Sequence, residues 1–259
     1  MWVSNYGGST LARVNPNTNR LAGPKIKVGF QPCGLAVVGG NVWVGGYGTS
    51  TIERVSLKRL KVTRRVRVGA APWDVQYAAG SLWVSNNLDG TVWRLNPATG
   101  RILKKIRTGG GPANISFLLG SIWVGSTTGR NIFRIGPGTN RVTRIPAGGI
   151  APTSLEESAA SIWSANRDSN TVTRLNPVTG QVLATIPVGA NPHWLAAASD
   201  GTLFVPNNGD DTVSRIDPAS NAVVETLTVG PGPIVIRRAF GDLWLTHLRG
   251  TQLWRIHVG

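Results

Sequence analysis

The 259-residue chain has one cysteine, three histidines and 12 acidic residues. A single cysteine, Cys33, excludes an internal disulfide framework and a cysteine-based zinc site. Charged residues make up only 15% of the chain. No run is long or apolar enough to span a membrane as a helix, and no segment carries a helical hydrophobic period. There is no phosphate-cradling loop and no dinucleotide fingerprint, because the glycines punctuate turns. No cofactor motif is evident. Met1 is not followed by a signal peptide. The chain opens partway through a repeat, which reads as a fragment or as a start downstream of the natural one. The residues themselves fix no compartment.

What the chain has in abundance is repetition. Trp2, Trp43, Trp83, Trp123, Trp163, Phe204 and Trp244 recur every 40 or 41 residues. Each is followed eleven residues later by an arginine: Arg13, Arg54, Arg94, Arg134, Arg174, Arg215 and Arg255. A second series places a glycine three residues before a proline, from Gly29 and Pro32 to Gly230 and Pro233. A period of about 40 residues marks an array of supersecondary units.

One repeat, residues 72–109, contains four short alternating or β-branched stretches: "WDVQYAAG", "LWVSNN", "TVWRLNP" and "RILKKIRTG". Each is bounded by Gly, Pro, Asn or Asp, and "NNLDG" suits a hairpin turn. Four strands in about 40 residues, repeated around seven times, predict an all-β chain forming a β-propeller. Residues 1–259 read as one such domain. Seven second-to-third-strand hairpins favour seven blades with incomplete end blades, and six blades plus a surplus hairpin is the alternative. The first blade begins at its second strand, at Trp2, and the last stops at Gly259. The repeated aromatics are expected to pack between blades, and a residue present in every blade, such as the arginine, is a repeat constraint before it is a site.

The phrases "PVGANPHWLA", "LWVSNNLDGTVWRLNPATG" and "TVTRLNPVTGQVLATIPVG" carry a resemblance over the whole chain. They resemble the YVTN-type propellers of bacteria and archaea and the streptogramin B (virginiamycin B) lyase propellers. The resemblance implies the fold strongly and activity weakly, since the shared residues are structural. In "NPHWLA", His193 stands where the lyases place a histidine on the catalytic face. The next lyase blade carries Glu-Pro-His, where this chain has Gly232-Pro233-Ile234. The lyases also place a Glu after the last Trp, where this chain reads "LWLTHLRG". A magnesium site of carboxylate oxygens would not survive these losses. The resemblance also implies an extracytoplasmic location if a signal lies upstream.

The expected function is therefore a non-catalytic recognition module, monomeric, binding a small molecule, peptide or protein at the channel mouth. The alternative enzyme is a streptogramin-lyase-like C–O lyase with a degenerate site, His193 as its catalytic residue, and magnesium only in that case. Connections between fourth and first strands, and between second and third, should share the mouth. Candidate ligand-binding residues there are Trp73, Asp74, Asn86, Asn166, Arg167, His193, Trp194, Asn207, His247 and Arg249. His193, His247 and Asp210 form a chemically sensible metal set, but two unrelated surface histidines is the simpler reading, and no metal site is assigned.

Charge suggests a third reading. Residues 1–150 carry 20 Lys/Arg against 3 Asp/Glu, and residues 151–259 carry 7 against 9. The excess sits on predicted outermost strands, with Lys61, Arg64, Arg65, Arg67, Lys105 and Arg107 as the candidate polyanion-binding residues. The partner would be nucleic acid or another polyanion. The competing explanation is protection of an open strand edge, which does not account for the later blades being nearly bare. No aromatic interleaves these outer strands in the sequence, so contacts should be to phosphate.

Overall fold

A computed structural model describes residues 1–258. It holds 27 strands and one three-residue 3-10 turn, arranged in seven antiparallel sheets. This is the β-propeller fold with seven blades, and the six-blade alternative is set aside. The first sheet comprises β1 (Trp2–Asn5), β2 (Thr10–Asn15), β3 (Arg20–Leu21) and β4 (Ile26–Lys27). The second comprises β5 (Pro32–Val38), β6 (Asn41–Gly46), β7 (Thr51–Ser56) and β8 (Lys61–Arg67). The third comprises β9 (Pro72–Ala78), β10 (Ser81–Asn86), β11 (Thr91–Leu95) and β12 (Ile102–Arg107). The fourth comprises β13 (Pro112–Leu118), β14 (Ser121–Ser126), β15 (Asn131–Ile135) and β16 (Val142–Pro146). The fifth comprises β17 (Pro152–Ser158), β18 (Ser161–Asn166), β19 (Thr171–Leu175) and β20 (Val182–Pro187). The sixth comprises β21 (Ala196–Ala197), β22 (Leu203–Asn207), β23 (Thr212–Asp217) and β24 (Ala222–Thr228). The seventh comprises β25 (Pro233–Ala239), β26 (Asp242–His247) and β27 (Leu253–Ile256).

Both end blades are incomplete as the repeat count requires. β3 and β4 both pair with β2, at its two ends, so together they make one interrupted outer strand. The seventh sheet has three strands, and Gly259, its end in the sequence reading, lies outside the described residues. The chain divides into two compact units, Met1–Phe117 with Gly136–Val142, and Leu118–Ile135 with the residues from Thr143 onward. The boundary runs through the fourth sheet.

Within each unit the same few contacts hold neighbouring blades together. Trp43 and Trp83 are fully buried in the first unit and Trp163 in the second. Trp43 packs with Val75, Leu82, Trp93 and Leu95 of the next blade, and Trp163 with Leu195, Leu203 and Ile216 of the next. Losing such a ring costs about 3–5 kcal/mol. The indole N–H of Trp83 and Trp163 is satisfied inside the blade, by Ala78 O at 3.1 Å and Ser158 O at 3.0 Å, whereas Trp43 donates to Pro97 O of the next blade at 3.0 Å.

The repeated arginine lies directly across the hairpin from the aromatic, as in Trp83↔Arg94 and Trp163↔Arg174. Its guanidinium stands over the ring, at 5.3 Å for Arg94 and 5.2 Å for Arg174. It then reaches the third-to-fourth-strand turn of the following blade. Arg54 donates to Ala98 O at 2.8 Å, Arg94 to Pro137 O at 2.7 Å, Arg134 to Pro177 O at 3.0 Å and Arg174 to Pro218 O at 2.9 Å. The eleven-residue spacing is therefore a cross-strand pair plus a tie between blades.

Candidate functional site

In five blades the second-to-third-strand turn hydrogen-bonds to the loop leading into the same blade. Tyr47 N donates to Gln31 O, Asn87 N to Ala71 O, Arg167 N to Ala151 O, Asn208 N to Asn191 O and Leu248 N to Gly232 O. The two kinds of connection thus share one face of each blade, here called the turn face.

Three of the residues expected there as ligand contacts face into the blade. Asn86, Asn166 and Asn207 are fully buried. Each amide pins its hairpin: Asn86 donates to Thr91 Oγ1 at 3.3 Å, Asn166 to Thr171 Oγ1 at 3.2 Å, and Asn207 to Thr212 Oγ1 and Ser214 Oγ, both at 2.9 Å. These asparagines also explain the repeated glycine. A Cβ at Gly149 would lie 2.4 Å from the Asn166 side chain, and one at Gly189 2.5 Å from that of Asn207. An Asn three residues after the aromatic, with a Thr five further on, was a legible signal for a structural pin. His247 occupies the same position in the seventh blade. Its Nδ1 lies 3.3 Å from Gln252 O, its ring 5.4 Å from Trp254, and its Nε2 is buried without a partner. Burial lowers its pKa.

In the first unit, Asp74 is buried at the start of its inner strand and stitches two blades together. Its Oδ1 accepts Val75 N at 2.8 Å; its Oδ2 accepts Asn114 Nδ2 and Ile115 N, both at 2.9 Å. Gly34 packs directly on it: a Cβ there would sit 2.5 Å from Asp74 Cα. Beside this carboxylate the half-buried Cys33 thiol is pushed up to about 12, by burial first and the Asp74 charge second. It is therefore a poor nucleophile at neutral pH. Trp73 is half-buried and meets Tyr47 edge-on, with ring centroids 5.9 Å apart. Tyr6 is exposed, and its pKa is raised by burial of its hydroxyl and by Cys33 and Tyr47.

In the second unit, Arg167 and Asp168 start the 3-10 turn and pair at 2.6 Å. Arg167 also donates to Thr127 O at 3.2 Å. His193 is half-buried near them, and its backbone carbonyl accepts Thr153 Oγ1 at 2.9 Å. Burial, then the Arg167 charge, lower the His193 pKa to about 4, against the opposing pull of Asp168. The imidazole is neutral at neutral pH. Trp194 departs from the expectation. It is a core residue packed with Phe204, Ile236 and Leu243, with the Arg237 guanidinium 4.8 Å above its ring. His193 and Trp194 lie in the segment before β21, where Trp194 is buried and His193 only half-buried. Arg249 is exposed and ties the last turn to the preceding one, through Asp211 at 2.6 Å and Asn208 O at 3.2 Å. Asp210 is engaged by Ala190 N at 2.7 Å and Thr212 Oγ1 at 2.7 Å. Among the described residues no three His, Cys, Asp or Glu side chains stand close enough to hold a metal ion.

The basic residues lie where the sequence put them, on outermost strands. Lys61, Arg64, Arg65 and Arg67 of β8 and Lys104, Lys105 and Arg107 of β12 are exposed. Arg65 has a structural duty. It pairs at 2.6 Å with the buried Glu53, whose other oxygen accepts Gly29 N at 3.0 Å. No aromatic lies on β8 or β12 themselves, but the neighbouring strand supplies one. Trp93 on β11 stands directly across from Lys105, and the Lys105 ammonium is 4.1 Å from its ring centroid. Period-2 reading along one strand cannot show a neighbour supplied by the next.

No protein-family model matches the chain, and no curated protein matches it in sequence. Solved structures do. The hydrazine synthase of Kuenenia stuttgartiensis superposes with a TM-score of 0.84 at 15% identity, covering 99% of this chain and 92% of that one. The virginiamycin B lyase of Staphylococcus aureus superposes with a TM-score of 0.82 at 15% identity, covering 95% and 87%. A catalytically inactive variant of that lyase with quinupristin gives 0.81 at 15% identity, with the same coverage of 95% and 87%. At this identity the likeness concerns the fold. No helix among the described residues is long and apolar enough to cross a membrane.

Proposed function

We propose that the protein is a non-catalytic recognition module that takes its ligand on the turn face. One observation carries this reading. The residue after each repeated proline changes chemistry from blade to blade and stays half-buried at Cys33 and Trp73 in the first unit and at His193 and Ile234 in the second, while the frame beneath repeats. Apolar and polar groups set on a rigid scaffold are what a binding site requires. The acids needed for catalysis are spent: Asp74 on three donors and Asp168 on Arg167. The test is a metabolite and peptide screen by thermal shift in 0.5 M salt. A ligand whose stabilisation survives salt and is lost in Trp73→Ala or His193→Ala is the expected result. Hits indifferent to both substitutions would sink the reading.

The fold shared with virginiamycin B lyase supports a second reading, a C–O lyase with His193 as base. A neutral His193 has the required protonation state, but the residues around it do not fit magnesium, since their one nearby carboxylate already pairs with Arg167. Quinupristin incubated with the protein should keep its chromatographic retention. A shifted isomeric product that disappears in His193→Ala would restore the enzyme.

A further inference from the structure

We infer that the cleft over one face of the β11–β12 pair is an anion site, and that with the adjoining β8 it binds the phosphodiester backbone of a nucleic acid. The cleft, of about 370 Å³, is lined by Asp89, Thr91, Trp93, Lys105 and Arg107. Trp93 is only 8% exposed, and its indole N–H is buried with no hydrogen-bond partner. An orphaned buried donor costs about 1–3 kcal/mol, and this one belongs to a ring that lines the cleft. Among the other polar groups the ammonium and the guanidinium only donate, and the Thr91 hydroxyl, which accepts from Asn86 Nδ2 at 3.3 Å, has its own proton to donate. The exception, Asp89, is held at the rim by Ala70 N at 2.8 Å. A ligand that only accepts hydrogen bonds and carries negative charge fits this set.

The surroundings extend the site. On β8, Arg64 stands directly across from Arg54; the like-charged pair on β12, Lys104 across from Arg94, lies on the opposite face of its sheet from Lys105 and Arg107. Like charges opposite one another destabilise a sheet, and edge protection needs no such pairing. Gly100, in the turn before β12, lies within 3.7 Å of Arg64 Nε when given a Cβ, so the two basic strands belong to blades in contact. A row of exposed cations across two strands calls for a repeating anion. The exposed positions of β8 are Lys61, Thr63, Arg64, Arg65 and Arg67, while β12 exposes Ile102 and Leu103 beside its cations, so a bilayer is the competing surface that the vesicle arm of the experiment tests. Lys105 covers the Trp93 ring, so no base stacks there, and binding is to phosphate with low sequence specificity. The inference is independent of the turn-face reading.

The experiment is fluorescence anisotropy of labelled 20-nucleotide single- and double-stranded DNA and RNA at 50 and 200 mM salt. Four or so phosphate contacts predict a loss of affinity of about 100-fold across that range. Lys105→Gln with Arg107→Gln should weaken binding at least tenfold and lower the salt slope by about two. Trp93→Phe, which keeps the ring and removes the N–H, should weaken it several-fold with the slope unchanged. Thermal melts of each variant identify any that fail to fold, and the exposed Lys105 and Arg107 changes should melt like the parent. The inference is overturned by no binding at 50 mM salt, by binding indifferent to the β12 changes, or by binding to phosphatidylserine vesicles without binding to any oligonucleotide.

Discussion

The two compact units share one frame and differ in charge. The first carries 17 Lys/Arg against 3 Asp/Glu, a net +14; the second carries 10 against 9, a net +1. The frame arginines show what the difference means. In the second unit Arg215 faces Glu225 across the outer strand pair and Arg174 faces Ala184. In the first, the equivalent Arg54 and Arg94 face Arg64 and Lys104. The second unit has solved its outer edge with a neutral or opposite charge at the same position. The first has accumulated repulsion there, so Arg64 and Lys104 are not required by the fold.

The largest predicted effect should be blind to this difference. Trp83→Ala and Trp163→Ala, one in each unit, should each destabilise by about 3–5 kcal/mol in urea unfolding. A large disparity would mean that the two units do not rest on the same contacts.

A smaller effect separates the units by pH. His193 has a folded pKa of about 4 against an ordinary 6.5. Between these values the unfolded chain binds more protons than the folded one. The stability contributed by the neutral imidazole is complete above pH 6.5, falls as pH drops through the window, and levels off below about 4. With His193 half-buried, the loss should be about 2 kcal/mol, and His193→Gln should remove it from urea midpoints compared at pH 7.5 and 4.5. Cys33, its counterpart at the same repeat position in the first unit, does not ionise in that window.

The smallest effect is the sharpest. Arg64→Glu copies Glu225 onto the first unit, and should stabilise it by up to about 1 kcal/mol through Arg54 while weakening oligonucleotide binding. Glu225→Arg should do the reverse to stability. If Arg64→Glu destabilises, the basic strand has a folding role after all.

Much of this was legible in the sequence. The 40-residue period, the Trp–Arg interval and the missing first strand at Trp2 gave the blades, their number and the incomplete ends, because each depends on local alternation and fixed spacing. The turn face was legible as a location and not as a site. Asn86, Asn166 and Asn207, expected in the turns, instead end their strands, and their amide nitrogens donate to threonine and serine hydroxyls a few residues on. Trp194, one residue from His193, is buried in the core.

What the sequence determined by itself is the repeat and everything that follows from the period: strand, hairpin and blade. Tertiary structure alone decided which polar groups are spent and which remain. Asp74 is engaged by a residue 40 positions away, and Trp93 becomes the floor of a cleft only when β12 lays Lys105 across it. The physical reason is that period is a property of neighbouring residues, whereas hydrogen-bond satisfaction depends on partners that only folding brings within 3 Å.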